Sequence, residues 1–257
     1  MRPALKAAFI QGVGGLGCAL AAQLQTDNSI DKIFLATRDP SALPKSLLDH
    51  PHCEAIHWDL EKPESISKAV DSLQSQNVDL VLIINSQGLL QREPVENHWL
   101  TESAVVAPEK RLEELSATGM LQSYYANAIV PMLTSQALIP LLRTGSFCWI
   151  VNISAKIGSI GDNQIGGWYS YRAAKAALNM LGKTLSLELS KRQVKAGVLS
   201  MHPGTVATNL SEPFTSAQTP RLQTPSEAAT ALLKVIDARS EADSGTFWSY
   251  DGNSIPW

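Results

Sequence analysis

The chain has 257 residues, 44% of them hydrophobic and 18% charged, a balance that excludes a disordered chain and suits one large α/β domain. Its 21 lysines and arginines stand against 24 acidic residues, and the net charge of −3 argues against a nucleic-acid partner. The three cysteines, Cys18, Cys53 and Cys148, match neither a disulfide framework nor zinc spacing, so no metal is expected and a reducing, cytoplasmic setting fits.

Arg2 and Lys6 lead into glycines rather than a long apolar run, so nothing reads as a signal peptide. Leu5–Ile10 is expected as a strand, followed by glycines and a helix at Leu16–Leu24. Lys32–Thr37 and Ala55–Trp58 are the next strands, and Ser65–Gln74 a helix. Val78–Ile84 is a fourth strand, apolar along nearly its whole length, as strands buried on both faces are. Glu109–Leu115 and the longer Leu121–Leu142 read as helices, the first with a solvated charged face. Phe147–Ile153 is a fifth strand. Tyr169–Ser190 is a helix with Leu178, Leu181, Leu185 and Leu189 at helical spacing. Lys195–Ser200 (strand), Ser226–Arg239 (helix) and Thr246–Tyr250 (strand) complete the order.

Strand–helix alternation over the whole length predicts a doubly wound α/β fold, residues 1–257 as one domain, with a mostly parallel seven-stranded sheet and helices on both faces. The most apolar strands fall short of the ~20 residues that span a bilayer, so no membrane partner is expected. Gln87–Ala107 and Asn209–Thr224 are long and irregular, and loops of that length usually bind or cover a ligand. The second is the expected substrate lid.

The first strand runs into Gln11-Gly12-Val13-Gly14-Gly15-Leu16-Gly17. Gly12, Gly14 and Gly17 satisfy G-x-G-x-x-G between a strand and a helix, where missing side chains let backbone approach a pyrophosphate at a helix N-terminus. The second strand ends at Thr37-Arg38-Asp39. An arginine there accommodates a 2′-phosphate, which points to NADP, while Asp39 keeps NAD open. Asp59, at the end of the third strand, either accepts from an adenine amino group or caps the following turn.

The sequence Gly166-Gly167-Trp168-Tyr169-Ser170-Tyr171-Arg172-Ala173-Ala174-Lys175 sets Tyr171 and Lys175 four apart, on one helix face. A phenol titrates near 10, and a neighbouring ammonium favours its phenolate, so this spacing can make a tyrosine an acid and base near neutrality. Trp168 either lines a cleft or packs beneath the preceding loop. Cys18, at a helix start, and Cys148, inside a strand, read as packing residues.

With these motifs the chain resembles the short-chain dehydrogenase/reductase family over nearly its whole length. The resemblance rests on the glycine turn, Asn85-Ser86-Gln87-Gly88, Asn127 in Tyr125-Ala126-Asn127-Ala128, Tyr171 with Lys175, and Pro203-Gly204-Thr205-Val206-Ala207-Thr208. Residues Ile153–Asn163, Gly166–Arg172 and the closing Tyr250–Trp257 resemble the C-factor/sniffer-like branch. The resemblance implies a Rossmann fold and hydride transfer between NADP(H) and a carbonyl or alcohol. Tyr171 would be the acid/base, Lys175 would hold the nicotinamide ribose and lower the tyrosine pKa, and Asn127 would fix a water in a proton relay. Gly12, Gly14, Gly15, Leu16, Gly17, Arg38, Asp59, Asn85, Gly88, Pro203, Gly204, Val206 and Thr208 would contact the cofactor. Family helices such as Leu121–Leu142 and Tyr169–Ser190 pair across two-fold axes, so a homodimer or homotetramer is expected.

Three departures from the family pattern stand out. Gln11 occupies the place of the first glycine, unless the turn is one residue shorter and starts at Gly12. Gln87 replaces a small alanine. The position of the catalytic serine falls on Ala155. Ser154 is the expected substitute, turned to the cleft by a bulge at the strand end, with Ser159 as the second candidate. Loss of that hydroxyl motivates an alternative function: a dinucleotide-binding signalling or regulatory protein with little turnover.

Overall fold

The computed structural model describes residues 4–91, 107–142, 145–216 and 218–257. Most of the expected loop Gln87–Ala107 lies outside them. Strands β1 (Leu5–Gln11), β2 (Lys32–Thr37), β3 (Cys53–His57), β4 (Val78–Asn85), β5 (Cys148–Ile153), β6 (Ala196–His202) and β9 (Thr246–Ser249) form one seven-stranded sheet. Its order is β3-β2-β1-β4-β5-β6-β9, and the pairings are parallel. The order reverses between β1 and β4, and a doubly wound sheet binds ligands outside the carboxyl ends of its strands at such a point.

The apolar strand runs follow from burial on both faces. In β1, Ala8 and Ile10 face a core shared with Leu20 and Leu24 of α1 (Gly15–Leu24) and Leu232 and Ile236 of α7 (Pro225–Asp237). Their neighbours Ala7 and Phe9 face the opposite core, with Leu73 of α3 (Pro63–Ser75), Leu138 of α5 (Val130–Leu138) and Leu189 of α6 (Tyr169–Lys191). Thr224 caps α7 by accepting from the Glu227 N–H at 3.2 Å, and the Glu227 carboxylate accepts in return from the Thr224 N–H at 2.8 Å. This reciprocal box fixes where the helix begins.

Two helical expectations change. Glu109–Leu115 is not a helix; only Leu112–Glu114 makes a 3₁₀ turn. The expected helix Leu121–Leu142 starts earlier and is broken. It consists of α4 (Ala117–Tyr124), a π-helical turn (Tyr125–Ile129), α5, and a 3₁₀ turn (Ile139–Leu142). Pro131 lacks the N–H that would continue the α-ladder through this break, so α5 restarts with it in the first turn. The run Ala117–Leu142 is long and apolar enough to cross a membrane by length and composition, but more than half of its most apolar window is buried in the fold. The short helix α2 (Lys45–Leu48) and the paired strands β7 (Thr205–Val206) and β8 (Leu222–Gln223) carry no periodic signal in the sequence.

Candidate active site

The glycine turn divides its labour. Gly12 has φ +87°, and a Cβ there would collide with the Gln87 backbone; a Cβ on Gly17 would meet the Gly12 carbonyl and the Ser86 hydroxyl. These two permit close packing of β1, β4 and α1, and the turn starts at Gly12. Gly14 is different: a Cβ there would meet nothing within 4 Å. It stands at the N-terminus of α1, which has neither a side-chain cap nor an acidic residue in its first turn. That leaves first-turn N–H groups beside open space, an arrangement suited to a phosphate. Leu16 is half-buried against the α1/α7 core, and Gly15 lies against Thr208. Cys18 gives its thiol hydrogen to the Val13 carbonyl at 3.3 Å, and burial pushes its pKa up, so it is not an activated thiolate.

Gln11 and Gln87 are one feature. The Gln11 amide donates to the Gln87 side-chain carbonyl, joining the end of β1 to the loop after β4. Both line a cavity with an empty volume of about 580 Å³, together with Arg38, Trp58, Asp59 and Tyr125. Asp39 is committed elsewhere: its carboxylate accepts from the Ser41 N–H at 3.0 Å and the Ser41 hydroxyl at 2.5 Å, which holds its pKa low. Arg38 stays exposed at the cavity wall. Asp59 accepts from the Glu61 N–H at 3.0 Å and lies 3.5 Å from Lys62, so it is a turn cap that also borders the cavity.

Tyr171 and Lys175 come together on the first turns of α6, both buried. The Lys175 ammonium donates to the Ile153 carbonyl at 2.9 Å and lies 5.7 Å from the centre of the Tyr171 ring. Gly158 is what lets α6 come this close, because a Cβ there would press on Lys175. Burial pushes the Lys175 pKa down to about 7 and the Tyr171 phenol up. Each shift favours the neutral form, so a phenolate here depends on a charged lysine beside it.

The serine expectation needs correction. β5 pairs with β6 in unbroken register through Ile153 and Met201, and the Ser154 N–H continues it onto the Met201 carbonyl at 2.8 Å. There is no bulge. The Ser154 hydroxyl is buried without a hydrogen-bond partner among the described residues, so it makes no bond to Tyr171. Ser159 is taken by the C-terminal tail, donating to the Pro256 carbonyl at 2.5 Å and accepting from the Asp162 N–H at 3.1 Å. Ala155, half-buried in extended backbone, occupies the strand end.

Asn127 lies in the π-turn, fully buried. Its amide donates to the Leu89 carbonyl at 2.7 Å and the Ser123 carbonyl at 3.0 Å, and its oxygen accepts from the Leu89 N–H at 3.0 Å. It clamps the segment after Gly88. Asn85 differs from expectation: its buried amide donates to Ser135 at 3.1 Å and Asn152 at 2.9 Å, so its side chain braces β4, β5 and α5 rather than lining the cleft.

After β6, Gln223 donates to the Pro203 carbonyl at 2.9 Å, and Gly204 turns with φ +79° where a Cβ would strike Gln223 and Tyr250. Val206 is buried, and the chain returns to the glycine turn at Thr208. From there the loop carries Leu210 to Gly88 and Phe214 to Trp168. Two participants had no sequence signal. Glu109, expected on a solvated face, is buried: its carboxylate accepts from the Ser170 N–H at 3.1 Å and from the Ser170 hydroxyl, capping α6 one residue before Tyr171. The π-turn around Asn127 also left no trace, since its break is a backbone event.

A family model described as short chain dehydrogenase matches residues 6–219. The chain is 33% identical over 199 residues to 1-hydroxy-2-glutathionyl-2-methyl-3-butene dehydrogenase of Rhodococcus sp. (strain AD45), covering 77% of this chain and 78% of that protein. It is 31% identical over 146 residues to the C-signal protein of Myxococcus xanthus, covering 57% of this chain and 83% of that one. Among solved structures, NADPH-bound carbonyl reductase from chicken fatty liver superposes with a TM-score of 0.79 at 27% identity, covering 100% of both chains. Carbonyl reductase Sniffer of D. melanogaster shares the fold with a TM-score of 0.81 at 23% identity, covering 99% of this chain and 100% of that one.

Proposed function

The chain belongs to the short-chain dehydrogenase family and is an oxidoreductase of that family, and on this premise we propose that it reduces an uncharged carbonyl with NADPH, Tyr171 serving as the acid. The observation that carries the reading is the Tyr171–Lys175 pair, buried beside the end of β5, on the same carboxyl edge of the sheet as the uncapped, open glycine turn. Gly14, Gly15 and the first turn of α1 would hold the pyrophosphate, and Gly12 and Gly17 let β1, β4 and α1 close together beside it. Arg38, free of Asp39, would take the 2′-phosphate, with Asp59 at the adenine side. Gly88 and the segment Pro203–Thr208 would flank the nicotinamide. NADP(H) bound there supplies or accepts the hydride at the carbonyl carbon.

Tyr171 delivers its proton to the oxygen that takes up the carbonyl π pair, leaving a phenolate. Lys175 in its charged form stabilises that phenolate. Asn127 positions the Gly88 side of the cleft and would order a relay water from the π-turn. Tyr171 and Lys175 would carry the proton chemistry without the customary serine, since the Ser154 hydroxyl makes no bond to Tyr171 and Ser159 is held by the C-terminal tail. The domain would act as one unit with the 209–224 loop as its lid. Exposed Leu121, Ile129, Leu133, Met180, Leu181 and Leu187 favour a homodimer or homotetramer through α4, α5 and α6.

The test is NADPH consumption with a panel of aldehydes and ketones in wild type and Tyr171→Phe. Turnover lost in the variant, with NADPH binding kept, supports the reading. A second reading, a dinucleotide-binding signalling protein, is favoured by Ala155 and by the likeness to C-signal. NADPH binding with no turnover of any carbonyl would establish that reading instead.

A further inference from the structure

Resting on the reductase reading, we infer that the mouth of this site takes an uncharged carbonyl compound whose carbonyl carbon carries an aromatic ring, held against the edge-to-face pair of Trp168 and Phe214. Trp168 immediately precedes α6 and has left-handed backbone, φ +52°, a conformation that bulky residues adopt only under restraint. Gly166 and Gly167 before it are also left-handed, at φ +71° and +66°, and its N–H donates to the Glu109 carbonyl at 2.5 Å. The Glu109 carboxylate then pins the next residue but one through Ser170. Gly166, Gly167, Trp168 and Ser170 are thereby committed to presenting one indole ring.

That ring stands edge-on to two others. Its centroid is 6.4 Å from Tyr171 at 69° and 5.3 Å from Phe214 at 62°. Phe214 remains 38% exposed on the loop, unlike the aromatics of the core. The same loop sets Leu210 Cδ1 3.7 Å from where a Gly88 Cβ would stand, so it bridges from the Asn127 wall to the Trp168 wall with apolar side chains at both ends. The neighbouring charges are turned away. Glu109 is bonded to Ser170, and the Arg172 guanidinium donates to the carbonyls of Gly166 at 3.2 Å, Gly167 at 2.9 Å and Ile157 at 3.2 Å. Neither offers a counter-charge to an anionic substrate. Aromatic rings favour edge-to-face or offset contact at these separations, so an aryl ketone extends an arrangement the protein has already built.

The experiment measures binding without turnover. Acetophenone, cyclohexyl methyl ketone and 4-acetylbenzoate are each titrated calorimetrically into protein saturated with NADP+, a pairing that cannot react. Acetophenone is expected to bind about tenfold tighter than either of the others. Trp168→Leu and Phe214→Leu should each bring the acetophenone-to-cyclohexyl ratio below about threefold while leaving NADPH affinity unchanged. Phe214→Leu lies on the loop and does not touch the left-handed backbone, so it serves even if the Trp168 variant folds poorly. Equal binding of acetophenone and its saturated counterpart, or a ratio that survives Phe214→Leu, overturns the inference. Turnover of both neutral ketones with equal kcat/KM also overturns it and leaves the reductase reading intact. A binding ratio as expected with no turnover upholds this site and removes the reductase reading instead.

Discussion

The side-chain amide of Gln11 donates to the side-chain carbonyl of Gln87, 76 residues away, across the point where the sheet reverses its order. Each residue alone departs from the family pattern; together they form one bond. Gln87→Ala strands a buried Gln11 amide, at a cost of about 1–3 kcal/mol. Gln11→Ala and Gln87→Ala should therefore be non-additive, with the double variant close to the worse single one. Urea unfolding of the three variants measures this, and strictly additive losses would refute the pairing.

Ser154 and Ala155 make opposite predictions. Ser154→Ala removes a buried hydroxyl that has no partner, so stability should hold or rise by up to about 1 kcal/mol and turnover should stay within about twofold. Ala155→Ser places a donor at the strand end, where one well-aimed hydroxyl is worth about 10²–10³ in rate elsewhere, and at least a tenfold gain in kcat is expected. Ser159→Ala should cost about 1 kcal/mol through the lost Pro256 bond and leave kcat unchanged. A loss of turnover in Ser154→Ala with none gained in Ala155→Ser would return the role to Ser154.

Lys175 carries a pH signature. Its pKa is near 7 in the fold and about 10.4 in an unfolded chain. Between those values the unfolded chain binds more protons, so this group's contribution strengthens the fold as pH rises and weakens it as pH falls through 7. Lys175→Met abolishes that dependence. Its stability relative to wild type should be highest below pH 7 and decline steadily toward pH 10, whatever constant offset the lost Ile153 bond adds. Chemical unfolding across that range is the measurement; a relative stability that climbs with pH contradicts the assignment.

Cofactor choice turns on Arg38. Arg38→Ala should weaken NADPH binding about tenfold or more and leave NADH binding nearly unchanged, since only the 2′-phosphate loses its partner. Asp39→Ala removes the cap that accepts from Ser41 and should not create an NADH preference. Fluorescence titration of both cofactors decides. Equal affinities in wild type, or a preference that persists without Arg38, would end the NADP reading.

Much of the site was legible because its signals are local. Glycines spaced between a strand and a helix, a Tyr and a Lys one helical turn apart, and strands apolar on both faces are short-range patterns that sequence spacing records. Glu109 was not legible: nothing in a run of mixed charges says that one carboxylate will be buried under the start of a helix 61 residues on. The break at Asn127 was hidden too, because the residues of the π-turn fit an ordinary helix and Pro131 marks the first turn of a new helix as readily as a break within one.

By itself the sequence determined the alternation of strands and helices, the glycine turn from Gly12 to Gly17 and the placing of Tyr171 and Lys175 on one helix face, since each follows from periodicity, spacing or the absence of a side chain. Only the tertiary structure decided where the candidate hydroxyls sit and what they bond. A strand residue's facing depends on register, and register is set by all the neighbouring strands at once. Unbroken pairing of β5 with β6 seals Ser154 inside, and the returning C-terminal tail claims Ser159. The same long-range closure brings Phe214 onto Trp168, a contact between elements distant in the chain that no local pattern records.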